Sequence, residues 1–229
     1  MTTINKTFNI LDFVDKIPDN LLSQSGKAFY SGRKAFSGRS ELYVLGINPG
    51  GAPGDYIEET IGNHTAKVVR INADNWSAYR DESWAGAAPG TYGMAPRVLH
   101  LFTQLGLDPG TIPCSNLVFV RSRQEADMGQ EIVALAEQCW IFHEFVITQI
   151  QPRVILCFGK TAGNYVRNKV GAKILSGEYI EENNRRWRSQ SFVNSSGLKV
   201  VVATHPSRAD WTNINTDPAQ LIKAALRHS

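Results

Sequence analysis

Four short apolar runs constrain what this chain can fold into. Residues 42–47 (LYVLGI), 116–120 (NLVFV), 153–158 (RVILCF) and 198–202 (LKVVV) are too short for helices and read as buried strands. Each empties into polar or Gly/Pro-punctuated sequence. Between them lie segments with helical spacing. Residues 95–105 carry Val98, Leu99, Leu101, Phe102 and Leu105 on one side, with Gly106 as the stop. Residues 129–150 carry Ile132, Leu135, Cys139, Phe142, Val146 and Ile150. A helix from Lys160 to about Lys169 follows Gly159, and Pro218 opens a C-terminal one. Strands alternating with helices predict an α/β fold, three α/β/α layers with a short, mainly parallel central sheet. Residues 191–193 and 198–202 flank Asn194-Ser195-Ser196-Gly197, a hairpin signal.

At 229 residues, with 42% hydrophobic content and no internal repeat, the chain reads as one domain over 1–229. Apolar positions from Ile10 to Leu22, interrupted by Pro18, predict one or two short helices in an N-terminal extension, 1–40. Residues 51–94 show little periodicity and read as a long insertion with irregular helices. The charge balance, 24 basic against 21 acidic side chains, gives +3 and neither demands nor forbids a nucleic-acid partner. Cys114, Cys139 and Cys157 are scattered, with no CxxC, which suits reduced, buried thiols in a cytoplasmic protein. The opening residues MTTINKTFNILDF lack a basic and a continuous apolar region, so no signal peptide is expected. The apolar runs are too short to span a membrane.

In sheets of this kind ligands bind beyond the carboxyl ends of the strands. Three segments fall there: Asn48-Pro49-Gly50, Asn116 with Arg121 and Arg123 just past it, and His205-Pro206-Ser207-Arg208. Several familiar motifs fail. Gly159-Lys160-Thr161 lacks the glycine five residues earlier that a phosphate loop needs; Val154 stands there. Gly50-Gly51-Ala52-Pro53-Gly54 is no dinucleotide fingerprint, and no GxSxG nucleophile elbow occurs. The histidines at 64, 100, 143, 205 and 228 show no HxxxH spacing, so no metal site is expected. His100 and His143 read as packing or surface residues; His205, ending a strand before Pro206, reads as functional. Amides, a histidine and arginines suit hydrogen-bond recognition and stabilisation of a developing anion. Arg185-Arg186-Trp187-Arg188 reads as a solvated hairpin face that also offers phosphate contacts.

Taken together, these segments resemble the uracil-DNA glycosylase superfamily. Gly46-Ile47-Asn48-Pro49-Gly50 looks like its first motif in the mismatch-specific and thymine-DNA branch. His205-Pro206-Ser207 is similar to the second motif of the single-strand-selective and classical branches, and Asn116-Leu117-Val118 to the strand with the base-reading asparagine. The stretch from Cys139 to Ala162 is similar to the helix, strand and turn that precede the second motif. The likeness spans about residues 41–210, in order.

The resemblance implies a monofunctional DNA glycosylase without cofactor, hydrolysing the N-glycosidic bond of a flipped-out uracil or related deaminated base. Asn48 and His205 would be catalytic, the first positioning water and the second donating to the leaving base. Gly46, Ile47, Pro49, Gly50, Asn116 and Ser207 would line the base site, with Trp84 or Tyr92 stacking on the base. Arg121, Arg123 and Arg208 would contact DNA. The expected partner is uracil-containing DNA, single- or double-stranded, and the expected state is a monomer. The classical branch has aspartate at the place of Asn48 and a tyrosine soon after it; this chain has Gly50 and Gly51. The alternatives are a catalytically silent member that binds a nucleobase or nucleic acid, and a small-molecule α/β enzyme with a similar site.

Overall fold

The computed structural model describes residues 8–227; His228 lies outside them. Six strands form one mixed, mostly parallel sheet in the order β2-β1-β3-β6-β5-β4. β1 (Leu42–Gly46), β2 (Cys114–Asn116), β3 (Val154–Phe158) and β6 (Lys199–Ala203) run parallel, while β5 (Arg188–Val193) and β4 (Ile174–Ile180) continue the sheet antiparallel. All residues of β1, β2 and β3 are buried, as the unbroken apolar runs require of strands covered on both faces.

The helices are α1 (Ile10–Val14), α2 (Ile61–Arg70), α3 (Ala78–Asp81), α4 (Ala95–Leu105), α5 (Glu131–Ile150), α6 (Lys160–Lys169) and α7 (Ala219–Leu226). α4 stops at Gly106, which takes the left-handed conformation at φ +69°. Gly163 of α6 meets Val202, while Leu221 of α7 meets Gly177, whose neighbour across the sheet is Ser191, opposite Val201. Val201 and Val202 point to opposite faces, so α6 and α7 cover opposite sides of the sheet. α5 shares the α6 side: its His143 meets the hydroxyl of Tyr43 at 2.7 Å, and Tyr43 lies in register with Ile155 and Val200. The arrangement is compatible with three α/β/α layers. Among the described residues, no helix is long and apolar enough to cross a membrane.

Residues 8–40 hold α1 and two short 3₁₀ helices at Asp19–Leu21 and Arg33–Phe36, and residues 25–31 lie beside β2, with Lys27 N–H donating to Phe119 O and Tyr30 N–H to Cys114 O. A side chain at Gly26 would overlap the Phe119 carbonyl, so glycine permits this close approach. Residues 51–94 hold an amphipathic helix, α2, that buries Ile61 and Val68, and they contribute Trp76 and Tyr79 to the core. One expectation is corrected: the predicted strand over 116–120 forms regular pairing at Cys114–Asn116, starting two residues earlier along the chain. The Ser191–Val202 hairpin forms as the sequence indicates.

Candidate functional site

The parallel strands β1, β2, β3 and β6 all point their carboxyl ends at one edge of the sheet. A cleft of about 1120 Å³ opens there. Its wall includes Gly46, Ile47 and Asn48 after β1, Asn116 at the end of β2, Phe158 and Gly159 at the end of β3, and His205 after β6.

Asn48 is held by its amide nitrogen. Nδ2 donates to the carbonyls of Pro49 (2.8 Å) and Ser122 (3.2 Å) and approaches Ser122 Oγ at 3.0 Å, while that hydroxyl donates to Gln124 O. Carbonyls only accept, so the nitrogen must face them and Oδ1 must face away. Ser122, which sequence reasoning passed over, therefore orients Asn48. Pro49 is buried and does not line the cleft; it fixes the loop by accepting from Asn48 and from Ser122 N–H (3.1 Å).

Asn116 is 2% exposed, and among the described residues its Nδ2 has no hydrogen-bond partner of ordinary geometry. A buried donor left unpaired costs about 1–3 kcal/mol, and a ligand carbonyl arriving in the cleft would relieve it. Gly46 makes room for it: a side chain there would overlap Asn116 Oδ1. Tyr30 lies beside the same amide; burial first, then the Glu82 carboxylate, pushes its phenol up, so it stays protonated. Behind Asn116, His143 fixes the strand exit, with Nε2 donating to Leu117 O at 3.1 Å.

His205 has a defined tautomer. Ser207 N–H donates to Nδ1 at 3.1 Å and Ser207 Oγ lies 2.8 Å from it, so Nδ1 accepts and the proton of the neutral ring sits on Nε2. Arg97 of α4 braces the loop by donating to Pro206 O at 2.6 Å. Burial, aided by the Arg208 charge and opposed by Glu125, lowers the His205 pKa from the ordinary 6.5 to about 4. Burial brings His143 to about 4 as well, opposed by its backbone hydrogen bonds. Between pH 6.5 and about 4 the unfolded chain thus binds more protons than the folded one. Stability is expected to fall as pH drops through that window. A Tm series from pH 7 to 4 checks this; a flat Tm across the window would contradict it.

The cleft floor carries charges that the sequence did not single out. Lys27, its side chain 7% exposed, lies 3.2 Å from Glu59 and 2.6 Å from Glu82. Arg121 is buried rather than displayed. It pairs with Glu59, donates to Gly50 O, and stacks 4.0 Å over the ring of Tyr56, which in turn covers Gly51. Its role is to hold the Gly50–Gly51 loop, a departure from the expected DNA contact. Arg123 and Arg208, in contrast, stand exposed at the rim. Glu59, His64 and Glu82 each bring a ligand atom within 4.8 Å of the others. Lys27 pairs with both carboxylates and Arg121 with Glu59, which offsets their charge. Glu82→Ala would leave Lys27 short of a partner and is expected to cost about 3 kcal/mol. Urea denaturation at unchanged m-value measures it; a loss under 1 kcal/mol would contradict the assignment.

Of the aromatic candidates, Trp84 is the better fixed. Its indole N–H donates to Glu82 at 3.0 Å, and its ring meets Tyr79 edge-on. Tyr92 is 52% exposed at the rim. Both line the cleft, as do Gly50 and Ser207. All three cysteines are free and buried, and burial raises each thiol. Gly159-Lys160-Thr161 is a strand-to-helix turn opening α6, as its sequence suggested.

No protein-family model matches the chain, and a search of the curated proteins finds no match.

Proposed function

We propose that this chain is a uracil-DNA glycosylase-like hydrolase that releases uracil or a related deaminated base from DNA. The observation that carries the reading is the buried, unpaired amide of Asn116, at the end of β2 in the cleft that Asn48 and His205 also line. An asparagine amide donates to O4 of uracil and accepts from N3–H; cytosine presents the reverse pattern and leaves both groups unmatched. The neutral His205, with its proton on Nε2, suits a hydrogen bond to O2, where negative charge grows as the bond breaks. Asn48, with Oδ1 turned away from its backbone anchors, suits a water that attacks the sugar carbon. An amide takes up no proton at neutral pH, so its part is positioning.

In this scheme the glycosidic bond breaks with its electron pair going to the base, the sugar carbon becomes oxocarbenium-like, and water adds to it, its proton neutralising the released base anion directly or through solvent. No metal or cofactor is required, and the exposed Arg123 and Arg208 would meet phosphates. Co-crystallisation with uracil tests the recognition. Uracil held between Asn116, His205 and Asn48 is the expected result; uracil bound elsewhere, or not at all at millimolar concentration, would refute it. Abasic sites in uracil-containing oligonucleotides distinguish the hydrolase from a silent nucleobase-binding protein.

A further inference from the structure

The loop joining β4 to β5 reaches the rim of the same cleft, where Arg186 and Trp187 form part of the wall. It is a built loop. Glu181 N–H donates to Trp187 O at 2.8 Å, and Asn183 Oδ1 accepts from the backbone of Arg185 and Arg186. The Arg185 guanidinium donates to the fully buried Glu181 carboxylate at 3.1 Å and to Arg208 O at 2.7 Å, tying the loop to the His205–Arg208 segment. Its Cζ lies 4.0 Å from the centroid of the Trp187 ring, and Trp187 remains 39% exposed. Arg186, at φ +51°, is fixed in a conformation uncommon for arginine.

In the same cleft, Arg123, Lys160, Arg186 and Arg208 line the wall and carry no ion pair among the described residues. Arg188 differs, since Glu178 neutralises it. A partly exposed aromatic ring on a hydrogen-bonded hairpin, sharing a cleft wall with unpaired cations, has a specific complement. Phosphates answer the cations, and an unstacked base answers the ring. A duplex offers the phosphates but keeps its bases stacked on one another; a single strand offers both.

We infer that the Trp187 hairpin is a stacking platform for single-stranded nucleic acid, seating a nucleobase that flanks the one in the cleft. The inference rests on the glycosylase-like reading for the strand's course into the cleft, but its binding test does not require turnover. The full chain is titrated by fluorescence anisotropy into a labelled twelve-residue thymidine strand and into the matching thymine–adenine duplex, neither holding a lesion.

Trp187→Ala is expected to weaken single-strand binding about 5- to 100-fold, the worth of one stacked base. Duplex binding should change less than twofold, and Trp187→Phe should restore most of the loss. Arg186→Ala should lower the salt dependence of both by about one phosphate. An unchanged melting temperature shows that the partly exposed position leaves the fold intact. Equal weakening on both forms, or none, overturns the proposal. So does a wild-type chain that binds neither form, the outcome expected of a surface for a protein partner. Uracil release measured in parallel keeps the two ideas apart: Trp187-dependent binding without release refutes only the hydrolase, and release indifferent to Trp187 refutes only the platform.

Discussion

Replacing His205 with alanine is expected to lower the rate of base release by about 10²–10³ while moving Tm by no more than about 2 °C. The size of the effect follows from where the donor acts. Ser207 holds Nδ1 as an acceptor through its backbone N–H and hydroxyl, so Nε2 carries the proton before any substrate arrives. Such a donor needs no reorganisation when charge develops on the leaving base, and its removal costs about 3–4 kcal/mol of transition-state stabilisation. Ground-state binding of DNA rests elsewhere, so kcat should fall with little change in KM. Because His205 becomes charged only near pH 4, wild-type release should persist from pH 7.5 to 5 without a step at 6.5. Single-turnover rates across that range check both points. A His205→Ala rate within threefold of wild type would refute the role.

Gly46→Ala should be nearly as damaging, though it adds only one carbon. A Cβ at this position would overlap Asn116 Oδ1. The Asn116 amide has little room to yield, since it is 2% exposed and has Tyr30 beside it. Either Asn116 swings out of its reading position or the end of β1 separates from β2, where Gly46 and Asn116 are in register. Overpacking of this kind costs about 1–3 kcal/mol of stability. Loss of the amide contacts should cost a further 10²-fold or more in kcat/KM for uracil, since a misplaced amide leaves polar groups unpaired. The variant should behave like Asn116→Ala in turnover, and combining the two should add little further loss. Full additivity of the two losses would show that Gly46 acts by another route.

The legible parts of the fold were those where a local pattern answers to one physical cause. Unbroken apolar runs betrayed β1 and β3, covered on both faces, and the helical spacing of Ile132 to Ile150 marked α5. The polar residues ending those runs were readable as a site because strand ends in a parallel sheet share an edge. Less legible was whatever depends on partners distant in sequence. Lys27 and Tyr30 lie in a segment without alternation or caps, and only its pairing with residues 114–121 brings them into the cleft. Gly26, tolerating a close carbonyl, was the one local hint.

Arg121 was misjudged for a related reason. Its sequence position beside Arg123 suggests an exposed basic pair, yet Glu59, sixty-two residues earlier, draws its side chain inward. β4 escaped notice because its side chains are half or fully exposed, and an edge strand of that kind lacks an apolar signature. Ser122 and Arg97 orient Asn48 and the His205 loop through long-range hydrogen bonds that no spacing rule encodes.

The central claim is that Asn48, Asn116 and His205 together release a base of one hydrogen-bonding pattern. Free base liberated from otherwise identical oligonucleotides carrying uracil, cytosine or adenine at one position, in single and double strands, measures it directly. Release of uracil without release of cytosine, abolished about 10²-fold or more by His205→Ala, is the predicted result. A folded wild-type protein that frees no base from any strand, or frees cytosine as readily as uracil, would contradict it.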